Sequence, residues 1–198
     1  MAVRDWLINE HGKEEPCDPV GSSDLSTFYR IYHFLNDLEN VLGSEKNDRQ
    51  RLTLIRPMVR RLLMSSYWIQ KAIAPIDPKT GWSLRKLYEE PFFPWTIQTA
   101  LWGTEQESPI HNHGTWGVVA IISGTEHNSF WKRINPSNPE DLRVEKVGEC
   151  VLYPGDLISF LPETIHSVKA IENEPVASFK IYGEMQSKVI YFDKLRLM

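Results

Sequence analysis

Two histidines separated by one residue, His111 and His113, sit in "PIHNHGTWGVV", where a loop gives way to a β-branched run. Side chains two apart on a strand point to the same face, so both imidazoles can aim at one point. Neutral imidazole is the commonest metal ligand. A third histidine, His166, opens the strand-like run in "LPETIHSVKAI", after a turn signal at "YPGD". Such spacing also arises without function, and His166 alone can be read as capping a loop. Taken together, the three favour a metal site, because β-barrels gather ligands from separate strands at an open mouth. The remaining histidines read differently. His33 lies in a helical pattern beside Tyr32 and Phe34 and is expected to pack or face solvent; His11 belongs to a polar leader; His127 follows the turn at Gly124 and is not expected to bind metal.

The arrangement resembles the two-part cupin pattern: His111, His113 and Gly124 match the first motif, and Gly155, Pro162 and His166 match the second. The glutamate of the first motif is missing, its place taken by Val118. Three neutral ligands would leave a divalent ion's charge uncompensated, which favours anionic substrate donors such as a thiolate. Over about 82–183 the chain resembles the cysteine dioxygenase family, the thiol dioxygenase branch of the cupins. "EPVASFKIYG" is similar to that family's Ser-x-His-x-Tyr strand, with Ser178 and Tyr182 matching and Lys180 in place of the histidine. Arg85, in "GWSLRKLYEEP", stands at the spacing of the family arginine that grips the substrate carboxylate.

The resemblance implies a cupin-type, jelly-roll-like β-barrel and a mononuclear non-haem Fe(II) centre on His111, His113 and His166. It also implies oxidation of a small thiol carboxylate, L-cysteine first, to its sulfinate with O2. Arg85 would receive the carboxylate. Tyr182 would position the substrate, with Ser178 as support and Lys180 altering the polar relay. The cysteine that forms a thioether to the tyrosine in some members maps to Val118, so no crosslink is expected. A 3-mercaptopropionate dioxygenase is the nearest alternative; a zinc enzyme or a non-catalytic cupin is more distant, since three histidines and water also make a competent zinc site. Alternation by itself leaves a choice on the "ASFKIY" strand: Ser178, Lys180 and Tyr182 inside the barrel, or Phe179 and Ile181 inside with Lys180 in water.

Positioning these groups requires two kinds of element. From Ser22 to about Ala74 the apolar spacing is helical, with a Ser/Asp start, a stop at Gly43, and a second helix that Pro57 is expected to kink or split. After "APIDPKTGW" the period changes to two, through TIQTALWG, GVVAIISG, EHNSFWKRI, RVEKVGECVL, LISFLP, HSVKAI, PVASFKIYG and KVIYF. The expected organisation is a helical region over 1–78 packed on a mainly β barrel over 79–198.

The 198 residues suffice for one such domain with a sizeable core. A net charge of -4 argues against nucleic-acid and membrane-surface partners and for a small ligand. Two cysteines, Cys17 and Cys150, make no disulfide framework, and no long apolar run occurs. A soluble cytoplasmic protein is expected; the sequence leaves the oligomeric state open.

Overall fold

The computed structural model describes residues 4–9, 11–17, 28–89, 91, 95–184 and 189–194. Its helices are α1 (Ile31–Ser44), α2 (Asp48–Ser65) and α3 (Tyr67–Lys71). Its strands are β1 (Asp5–Ile8), β2 (Glu14–Cys17), β3 (Trp82–Tyr88), β4 (Trp95–Trp102), β5 (His111–Asn112), β6 (Gly117–Ser123), β7 (Thr125–Arg133), β8 (Arg143–Leu152), β9 (Leu157–Phe160), β10 (Ile165–Ile171), β11 (Val176–Gly183), β12 (Ile190–Tyr191) and β13 (Asp193–Lys194). They form a seven-stranded sheet ordered β2-β1-β9-β6-β11-β4-β3 and a six-stranded sheet ordered β12-β5-β10-β7-β8-β13. The fold is therefore the expected one, mainly β and jelly-roll-like, with the helices ahead of all the barrel strands but β1 and β2.

The seven-stranded sheet is covered on both faces. Val118, Ala120, Leu157, Phe179 and Ile181 pack in one core with Leu38, Leu52, Ile55, Val59 and Leu62 of the helices. Their alternating neighbours Val119, Ile121, Ile158 and Val176 pack in a second core with Phe130, Leu152 and Ala170 of the six-stranded sheet. Double coverage explains why GVVAIIS is an almost unbroken apolar run rather than an alternating one. Every residue of β11 is buried.

Three elements differ from expectation. The N-terminal segment is not a polar leader: β1 pairs parallel with β9 and antiparallel with β2, so the barrel sheet begins before the helices. DWLI and EEPC carry too little pattern to be read locally, and β1 is recruited by partners over 140 residues away, Arg4 bonding the Asp156 carboxylate and the Val151 carbonyl (2.8 Å). Second, α2 runs unbroken through Pro57, and the break falls at Ser66. Burial of Leu52 and Ile55 before the proline and Val59 and Leu62 after it offsets the roughly 3 kcal/mol that an interior proline costs. Third, α1 begins at Ile31, with His33 Nδ1 accepting from the Arg30 amide; the expected Ser/Asp start at 22–24 lies outside the described residues. Among the described residues no helix is long and apolar enough to cross a membrane.

The helical layer is fixed to the sheet by charge as well as apolar contact. Arg60 of α2 pairs with Asp5 of β1 and donates to the Gly155 carbonyl (3.1 Å), and the Asp5 side chain is 2% exposed. Arg60→Ala leaves that carboxylate buried and unpaired, and should cost about 3 kcal/mol in urea unfolding. Replacing both partners, Arg60→Met with Asp5→Val, should recover most of the loss.

Candidate metal centre

Strand β5 is only two residues long, yet its pairing decides the site: His111 lies directly opposite His166 of β10. Cross-strand neighbours share a face, so two of the three imidazoles meet through backbone register alone. His113, just past β5, adds the third. The ring centroids are separated by 4.6 Å (His111–His166), 4.8 Å (His111–His113) and 5.3 Å (His113–His166). One ring nitrogen from each lies within 4.8 Å of the others.

This donor set suits a metal. Two nitrogens bound to one ion at about 2.1 Å stand roughly 3.0–3.4 Å apart at octahedral or tetrahedral angles, and His113 Nε2 and His166 Nε2 are 3.2 Å apart. His111 Nδ1 lies 2.8 Å from the Pro109 carbonyl. It must donate there, which leaves the lone pair of Nε2 for an ion. Burial holds all three imidazoles below the ordinary histidine range, His113 and His166 well below it, and the nearby Lys180 adds to the effect. All three are therefore neutral near pH 7, the form that ligates.

The choice left open on β11 is settled by its neighbours. Ser178 stands opposite Ile121 and Lys180 opposite Val119, both in the core between the sheets, while Phe179 stands opposite Ala120 on the helix side. Ser178, Lys180 and Tyr182 thus line the barrel interior. The Tyr182 ring packs on His113 at 4.2 Å between centroids. Burial, with Glu126 assisting, pushes its phenol up, so the hydroxyl keeps its proton. Lys180 is 8% exposed, its ammonium 5.7 Å from the Trp102 ring centroid, and burial pulls it down while Glu126 pulls it up. Ser178 Oγ is buried with no hydrogen-bond partner among the described residues.

Arg85 is not brought to this cluster. It pairs with Thr99 of β4, which in turn pairs with Phe179 and donates to the Ala72 carbonyl (2.6 Å) on the helix side. The arginine therefore occupies the opposite face of the sheet from Lys180 and Tyr182, exposed on an edge strand. The register of β3 on β4 turns it away from the three imidazoles. Val118 is also on the helix side, opposite Ile181; Gly117 is the residue facing Tyr182, and neither position carries a sulfur. His127 lies outside the barrel, 3.0 Å from Glu149, and the Cys150 thiol is pushed up to about 12 by burial.

Two interior residues went unnoticed in the sequence. Glu126 and Asn128 share the inward face of β7 with Phe130, which stands opposite His166. Asn128 Nδ2 donates to Glu126 Oε1 (2.9 Å), while Glu126 Oε2 and Asn128 Oδ1 are buried without hydrogen-bond partners among the described residues. The signal was the i, i+2, i+4 alternation ending on an aromatic, which marks Glu126 as inward.

No protein-family model matches the chain. Among solved structures, an oxalate oxidase in complex with the substrate analogue glycolate superposes with a TM-score of 0.46 at 7% identity, over 61% of this chain and 60% of that one. A cupin superfamily protein from Desulfitobacterium hafniense gives 0.41 at 11% identity, over 52% of this chain and 77% of that one. A cupin domain from Schizosaccharomyces pombe gives 0.43 at 10%, over 56% and 69%. The chain thus spans about 60% of the length of the oxalate oxidase that it matches.

Zinc or ferrous ion at about 100 times its Kd should stabilise the protein by about 2.7 kcal/mol in thermal unfolding, a gain that His113→Ala abolishes. A Cβ at Gly117 would fall 2.7 Å from Tyr182 Cδ1. Gly117→Ala should therefore displace that ring and cost about 1–3 kcal/mol in urea unfolding.

Proposed function

We propose that this chain is a mononuclear non-haem iron thiol dioxygenase, converting a small thiol carboxylate and O2 to the sulfinate. The observation that carries the reading is the ligand set: three neutral imidazoles, one ring nitrogen of each within 4.8 Å of the others, with no acidic side chain among them. Such a set leaves the full charge of a divalent ion for the substrate to offset, which suits a thiolate and favours its formation at neutral pH. When bound, ferrous iron would supply the redox chemistry and a seat for the substrate sulfur. The reaction is balanced without an added reductant, since RSH and O2 contain all the atoms and electrons of RSO2H.

The chain's own residues would then orient and shelter the reactants. Tyr182, held on His113 and kept protonated by burial, offers its hydroxyl as a hydrogen-bond donor beside the ion. Phe160 packs against His166 at 4.7 Å between centroids, keeping that ligand dry and fixed. Ser178 lies two inward positions beyond Tyr182, with Lys180 between them on the same face. A cytoplasmic setting, where small thiols are kept reduced, completes the proposal.

L-cysteine and 3-mercaptopropionate both qualify as substrate. The case for cysteine leaned on Arg85, and the placement of Arg85 on the other face of the sheet removes that weight, so 3-mercaptopropionate stands level with it.

Protein loaded anaerobically with Fe(II) and given cysteine, 3-mercaptopropionate or cysteamine with oxygen should yield, by mass spectrometry, a product heavier by two oxygen atoms from at least one carboxylate-bearing thiol. Tyr182→Phe should lower kcat roughly 100-fold while metal binding persists. Absence of oxygen uptake with all three thiols would defeat the proposal.

A further inference from the structure

Among the described residues one lysine, Lys180, and one glutamate, Glu126, lie inside the barrel, and they do not approach to ion-pair distance. Lys180 is one inward step along β11 from Tyr182, the residue that touches His113. Glu126 is two inward steps along β7 from Phe130, the residue opposite His166. Lys180 is thus near both the imidazoles and the carboxylate, and its charge is felt by all three histidines and by Glu126. Glu126 is 2% exposed, with one oxygen bonded by Asn128 and the other without a partner.

The charge of this interior is independent of where the proton rests. Lysine and glutamate together sum to zero whether both are charged or both neutral. A divalent ion on three neutral imidazoles then leaves two positive charges in a largely apolar enclosure, a costly state unless a ligand supplies two negative charges. One belongs to the atom that binds the ion. The second must sit farther in, and Lys180 is the donor there.

We propose that Lys180, and not Arg85, receives the carboxylate of the ligand whose other end binds the metal, and that Glu126 is a positioning residue that aims Lys180. The inference deepens the thiol dioxygenase reading and rests on it for the metal-binding end of the ligand. It keeps the substrate class of that reading, short molecules with a metal-binding thiol and a carboxylate, and assigns the group that holds the carboxylate. Asn128 donates to one oxygen of Glu126, leaving the other to orient the ammonium.

Zinc-loaded protein, which cannot turn over, allows binding to be measured by calorimetry with two probes: 3-mercaptopropionate, and the neutral thiol 2-mercaptoethanol. A charge-assisted hydrogen bond of this kind corresponds to a roughly 10- to 100-fold change in affinity. Lys180→Met should weaken 3-mercaptopropionate by about that factor and change 2-mercaptoethanol less than threefold, and Arg85→Met should change neither. Lys180→Gln, which keeps a polar group of similar length, should show the same selective loss and covers the case in which the methionine variant does not fold. Glu126→Gln should weaken 3-mercaptopropionate selectively, Glu126→Asp should restore most of it, and in the Lys180→Met background Glu126→Gln should have no further effect. Equal loss for both probes, no loss, or a selective loss in Arg85→Met would overturn the assignment. Selective loss at Lys180 in a protein that, iron-loaded, oxidises no thiol would uphold the anion subsite and sink the dioxygenase reading alone. Thiol oxidation indifferent to Lys180→Met would do the reverse.

Discussion

Strand β11 is covered on both faces, and the chemistry of the barrel depends on that coverage. With helices packed on one side and a second sheet on the other, alternation along the strand no longer separates core from solvent; it separates two cores. Phe179 and Ile181 serve the helix-facing core, so Ser178, Lys180 and Tyr182 must serve the interior. A lysine there is unusual, because a buried ammonium costs far more than an exposed one. The helical layer thus commits polar groups to the inside although it contributes none of the ligand side chains.

The same enclosure shapes the electrostatics. Desolvation keeps the three imidazoles neutral and the Tyr182 phenol protonated, so the groups around the candidate ion are in their ligating and donating forms without help from an acidic ligand. The only carboxylate on the interior face of β7 lies two inward steps beyond Phe130, away from the imidazoles. Any divalent ion would therefore carry its charge undiminished to the incoming ligand. This links the absence of a glutamate ligand, visible in the sequence, to the proposed demand for a dianionic substrate.

How much was legible differs from element to element. Most of the longer strands following the proline-rich break were readable because they are runs of seven or more residues, rich in apolar and β-branched side chains and bounded by turn signals. Strands β1 and β2 were not, since DWLI and EEPC are too short to show a period and are held by remote partners, Leu157–Phe160 and Arg60. Pro57 misled for a related reason: its local cost is real, but packing on both sides of it offsets that cost. Glu126 and Asn128 were overlooked beside the more conspicuous His127, although Phe130, four and two residues on respectively, marks their face.

The sequence by itself determined which side chains were available and how they were spaced: an H-x-H pair, a later histidine, and Ser178, Lys180 and Tyr182 on one face of one strand. Those are local facts, dictated by the two-residue repeat of an extended chain. Only the tertiary structure decided that His111 would lie opposite His166, that the Lys180 face would turn inward, and that Arg85 would turn outward. Each of those outcomes depends on strand register and on which layers cover a sheet, and both are set by partners far away along the chain.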